Sequence, residues 1–179
     1  MPSEILADRC RIERDSRQAP TTTPISIQAA IAITGLSQRT WWRRIEDGTV
    51  RKDRPDARGR ARIALEDLIE LVDCRLSAED KAVLALADAG NADAQADIGE
   101  MFFVEGRHQA GRYWLELAAE QGNANAMQCL ARCYLSGEGV PKNEHMAMRW
   151  LAEAAARGHA IALGQMQALR NGFFQQRAA

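Results

Sequence analysis

From about residue 78 onward, apolar residues return every three or four positions and alanine fills many of the intervals. That period marks amphipathic helices. It predicts two helical pairs, "ADAQADIGEMFFV" with "AGRYWLELAAEQ" and "ANAMQCLARCYLS" with "HMAMRWLAEAAAR". Further helices flank them at about 79–89 and 160–170. Gly90, Gly122 and Gly158 stand where the second helices stop, as left-handed caps require. Ser77, with Asp80 three residues later, has the form of a capping box opening this zone.

Before residue 75 the pattern is shorter and mixed. "ISIQAAIAITGLSQRTWWRRIEDG" predicts a helix from about Ile27 to Ile33, a turn at Thr34-Gly35-Leu36, and a second helix capped by Ser37 and stopped at Gly48. Thr49-Val50 and Ala61-Arg62-Ile63 are expected to pair as a hairpin around a wing-like loop. "LEDLIELV" then gives a third helix with Leu65, Leu68, Ile69 and Val72 on one face. Residues 1–24 are charged, allow a short helix over 4–17, and end in the linker-like "QAPTTTP". The expected division is therefore a 1–24 flexible segment, a 25–74 winged helix-turn-helix and a 75–179 helical solenoid. The fold class is mostly α.

The last zone repeats itself. The three glycines are spaced by 32 and 36 residues, Trp114 and Trp150 by 36, and Phe102 and Tyr134 by 32. "VEGRHQ" in the first unit replaces the longer "SGEGVPKNEH" of the second. A single helix pair cannot bury its apolar face, so such units must stack. "LARCYLSGEGVPKNEHMAMRWLAEAAARG" resembles the Sel-one-like repeats, relatives of the tetratricopeptide repeats, through Leu130, Tyr134, Gly137, Gly139, Val140, Ala147, Trp150 and Gly158. The resemblance implies a right-handed α/α solenoid that binds a protein or peptide, and it implies no chemistry. Phe173 and Phe174 are expected to cap the last helix face.

The earlier zone resembles the winged helix-turn-helix domains of MerR-type regulators and phage excisionases, through "TGLSQRTWWRRIEDG" and "RARIALEDLIELV". Charge sharpens that reading. The whole chain of 179 residues has a net charge of -1, yet residues 37–62 hold nine basic against four acidic residues, a local +5. A basic patch on a neutral chain suits a phosphate-binding face. The residues assigned to double-stranded DNA are Ser37, Gln38, Arg39, Trp42, Arg43, Arg44, Lys52, Arg58, Arg60 and Arg62. Arginine reads guanine and glutamine reads adenine in the major groove. Arg58, Arg60 and Arg62 alternate, so a strand there would put all three on one side. Neighbouring helix positions diverge by about 100°, which sends Trp41 inward with Ile45 and leaves Trp42 at the edge of the reading surface.

The expected function is a DNA-binding transcriptional regulator whose solenoid holds a partner protein. The alternative is an interaction adaptor without DNA. A reader this small suits a homodimer on a two-fold site. No glycine-rich phosphate loop or nucleophile elbow is present, so no enzyme and no cofactor are expected. Cys129 and Cys133 read as small core residues rather than metal ligands, and His108 and His145 as loop residues. Neither a signal peptide nor a membrane span is legible, which points to the cytoplasm.

Overall fold

The computed structural model describes residues 23–72 and 76–178, without the side chains of 70–72 and 172–178. The expected helix over 4–17, Cys10, Cys74 and the Phe173–Phe174 cap lie outside the described residues. Within them the order is β1 (Pro24–Ser26), α1 (Ile27–Thr34), α2 (Gln38–Glu46), β2 (Lys52–Asp53), β3 (Arg62–Ala64) and α3 (Leu65–Val72). Then come α4 (Ala78–Ala89), α5 (Ala92–Val104), α6 (His108–Glu120), α7 (Ala124–Ser136), α8 (Glu144–Ala156) and α9 (Ala160–Ala178).

The first half, the head, begins with a helix, a tight turn and a second helix. Ser26 caps α1 by accepting from the Ala29 N–H, and Ser37 caps α2 by accepting from Thr40. Gly35 ends α1 with a φ of 70°, a left-handed shape that glycine adopts without strain. The small sheet differs from expectation. Val50 is buried but not in a strand, and β2 pairs with β3 through Lys52↔Ile63 and Asp53↔Arg62. β3 also pairs antiparallel with β1, through Ile25↔Ile63 and Ser26↔Arg62. The linker-like stretch thus ends in a strand, and β3 is the centre of a three-stranded sheet.

The second half is a stack of helices. α4 opens with the expected capping box between Ser77 and Asp80. Asn91, Asn123 and Asn143 cap α5, α7 and α8 through their side chains, each accepting from the backbone three residues on. Gly90, Gly122 and Gly158 follow α4, α6 and α8 at φ values of 106°, 92° and 83°. His108 and His145 begin helices rather than sitting in loops. α5 packs on α6, α7 on α8, and each pair on the next. Among the described residues no helix is long and apolar enough to cross a membrane.

The two halves share a core. Ile25, Ile33, Trp41, Ile63 and Leu68 of the head belong to the same buried cluster as Leu84, Ile98, Phe102 and Trp114 of the helical stack. A second cluster, built on Leu115, Met127, Leu130 and Leu151, continues down the stack.

Candidate functional site

The exposed face of α2 is built as its spacing requires. Trp41 is fully buried, Leu36 and Ile45 pack against the core, and Gln38, Arg39 and Arg43 are exposed. Ser37 spends its hydroxyl on the helix start, hydrogen-bonding Thr40 Oγ1 at 2.9 Å as well as capping. Arg43 and Arg44 lie in the last turn, where the helix dipole favours positive charge. Arg44 is half-buried, with its guanidinium 5.9 Å from the centre of the Trp41 ring. Trp42 is half-buried too. Lys52 on β2 lies 5.3 Å over its ring, an attractive cation–π arrangement that ties α2 to the sheet. Trp42 also lines a cleft of about 170 Å³ with Gln38, Gln28 and Arg60.

The three alternating arginines are placed otherwise than expected. Only Arg62 lies in a strand, and Arg58 sits in a turn, so no strand alternation forms. All three line a cleft of about 270 Å³ that faces Ala85, Asp88 and Ala89 of α4. Arg62 donates to the Pro24 carbonyl at 2.9 Å. Arg60 is bound from two sides, to Asp56 at 2.6 Å and to Asp88 at 3.4 Å, and it donates to the Asp88 carbonyl at 2.9 Å. Asp88 also accepts from the Ser26 N–H at 2.8 Å and from its hydroxyl at 2.5 Å. Arg60 and Asp88 therefore join head to stack. Arg107 makes a second joint, donating to the Ile33 carbonyl at 2.6 Å. A sequence reading has no signal for either joint, because the partners lie 28 and 74 positions apart. Arg58 remains exposed.

Cys129 and Cys133 are buried in the core of the stack, and the Cys129 thiol lies 2.6 Å from Glu100 Oε1. Burial, followed by the hydrogen bond to Glu100 and its charge, pushes the Cys129 thiol up to about 12. Burial pushes Cys133 up to about 11. Such thiols are poor nucleophiles and poor metal ligands. Among the described residues no group of three or more His, Cys, Asp or Glu could hold a metal ion.

Known proteins bear on these stacked hairpins directly. Residues 92–123 and 124–159 each match the Sel1 repeat. The matched spans are α5 with α6 and α7 with α8, so the Sel1-like units coincide with the helical pairs seen in the fold. Two solved structures are similar. One is a Sel1 repeat protein from Oxalobacter formigenes, at 30% identity over 57% of this chain and 32% of that one, with a TM-score of 0.45. The other is a protective antigen of uropathogenic Escherichia coli displaying an SLR fold, at 28% identity over 49% of this chain and 20% of that one, with a TM-score of 0.43. The chain thus spans a third or less of either structure's length. No curated protein matches it. The family match covers residues 92–159 and does not reach the head.

Proposed function

We infer that the protein is an interaction adaptor whose Sel1-like repeats dock a partner protein or peptide. One observation carries this reading. Two consecutive helical pairs match a repeat that serves protein–protein interaction, and they are stacked as such repeats must be. Stacking leaves the outer helix faces available, and apolar side chains stand exposed on them, among them Val104 at 90% and Leu135 at 45%. Native purification of the tagged full chain from cells that express it tests the reading. A stoichiometric partner that is lost on substituting the exposed repeat faces is the expected result. Recovery of the chain alone, with or without reversible crosslinking, sinks the proposal.

A second reading concerns the head. The capped α2 presents Gln38, Arg39 and Arg43 outward, with Lys52 beside it and Arg58 exposed on the loop between β2 and β3. That face supports binding to duplex DNA, with transcriptional regulation as its use. Arg60 and Arg62 drop out of the contact set, since their guanidinium groups serve the fold. Fluorescence anisotropy with duplex DNA at stepped salt separates the readings. Binding that weakens linearly in log salt, and weakens further in Arg39→Ala with Arg43→Ala, supports DNA recognition. No binding at low salt leaves an adaptor alone.

A further inference from the structure

A cleft of about 340 Å³ opens where the head meets the stack, between the β2–β3 loop and helices α4, α5 and α6. A cleft of this kind suits a small ligand held by a few polar groups. Much of its polar lining is already committed. Arg60 is taken up by Asp56 and Asp88. Gln95, 3% exposed, donates to the Ala87 carbonyl at 2.9 Å and accepts from Gln121 at 2.6 Å. Three lining groups stand uncommitted. Arg58 reaches over the end of α4, where a Cβ built on Gly90 would lie 3.8 Å from its Nη2, and its guanidinium meets no anion among the described residues. Glu120 meets no cation among them, although it ends α6, where the helix dipole disfavours a carboxylate. Trp114 is 1% exposed, and its indole N–H has no hydrogen-bond partner. A buried donor left unpaired is costly, and an acceptor on a ligand would relieve that cost.

We propose that this cleft binds a short peptide with free ends, its carboxylate on Arg58, its ammonium on Glu120 and a backbone carbonyl on the Trp114 N–H. Arg58 and Glu120 carry opposite charges, line the same cleft and form no ion pair with each other. A ligand bearing both charges answers both residues at once. A carboxylate matches the guanidinium fork with two parallel hydrogen bonds. A phosphate dianion fits worse, because Asp88 and Glu120 also line the cleft and repel it. Tyr113 stands edge-on to Trp114, with 5.0 Å between ring centres, and the pair joins Leu117 as an apolar wall. That wall favours small apolar side chains over charged ones. Neither the head nor the stack forms this cleft alone, and the assignment goes beyond the adaptor reading without depending on it.

Nuclear magnetic resonance reads the site directly. The isotope-labelled full chain is titrated with dialanine, trialanine and tetraalanine while the tryptophan indole N–H signals are followed. A saturable shift of the Trp114 signal by at least one of these peptides is expected. Trp41 and Trp150 should not move; their indole N–H groups also lack a partner but lie outside the cleft. Amidating the C-terminus or acetylating the N-terminus of the peptide is expected to weaken binding by about tenfold, the loss of one charge-assisted hydrogen bond. Arg58→Gln should bind amidated and free peptide alike, and Glu120→Gln should bind acetylated and free peptide alike, each with unchanged circular dichroism. No saturable Trp114 shift overturns the proposal, as does equal binding of blocked and free peptides to the unsubstituted chain. A Trp114 shift that inorganic phosphate produces as readily as the peptides assigns the cleft to anions and overturns it too. Each of these outcomes leaves the adaptor reading as it stands, since its partner is sought on the repeat faces.

Discussion

Trp41 and Trp42 are adjacent in sequence and differ in nearly everything around them. Trp41 is fully enclosed between the head helices and the sheet, while Trp42 is half-buried beneath Lys52. Trp41→Ala is expected to cost about 3–5 kcal/mol, the usual loss for a large core side chain, read by urea denaturation. Trp42→Ala is expected to keep the fold and, if the head binds DNA, to weaken that binding. This split was legible, because helical spacing alone separates the two side chains. The role of Arg60 was not legible. Its position looked like part of a wing, and only the fold brings Asp88 beside it. The cysteines carry a second prediction at this scale. Their raised pKa values suppress the thiolate at pH 8, so Cys129 and Cys133 should resist iodoacetamide in the native chain. Peptide mapping after labelling should find them modified only once urea unfolds the stack. Fast native labelling would contradict their burial.

The helical pairs were readable because their signals are local: apolar period, asparagine caps and terminal glycines all fall within a few residues of one another. The strand β1 was not, since "PIS" has three residues and gains its conformation only by pairing with β3, some 38 positions away. A close crossing also escaped notice. Gly99 of α5 and Gly111 of α6 face each other, and a Cβ built on Gly99 would lie 2.7 Å from Leu115 Cγ. A Cβ on Gly111 would strike the Phe103 ring and lie 2.8 Å from the Gly99 carbonyl. Alanine favours helices over glycine by about 1 kcal/mol, but overpacking of this kind costs about 1–3 kcal/mol. Gly111→Ala is therefore expected to lower stability, whereas Gly164→Ala on α9, with open space around it, should raise it. A thermal melt of each variant checks the contrast, and equal gains in both would mean the crossing is looser than described.

At the scale of the molecule, the head and the repeats are packed on one another. Their apolar residues share a cluster, and Asp88 binds Ser26 and Arg60 across the joint. Asp88→Ala removes several charge-assisted contacts and is expected to cost on the order of 2 kcal/mol. Hydrogen exchange should then show faster opening in α1 and β1 with little change in α7 and α8. Unchanged exchange in the head would mean that the joint contributes nothing. On the proposed adaptor reading, this joint sets the α2 face at one angle to the partner that the repeats would dock. The central claim is that the repeats are the protein dock. It is tested most directly by placing a photo-crosslinking amino acid at Leu135 or Leu163, with Lys52 as the control position, in cells that express the full chain. The account predicts a discrete covalent adduct with another protein from the repeat positions and none from Lys52. Adducts from Lys52 alone, or none from either repeat position, would contradict it.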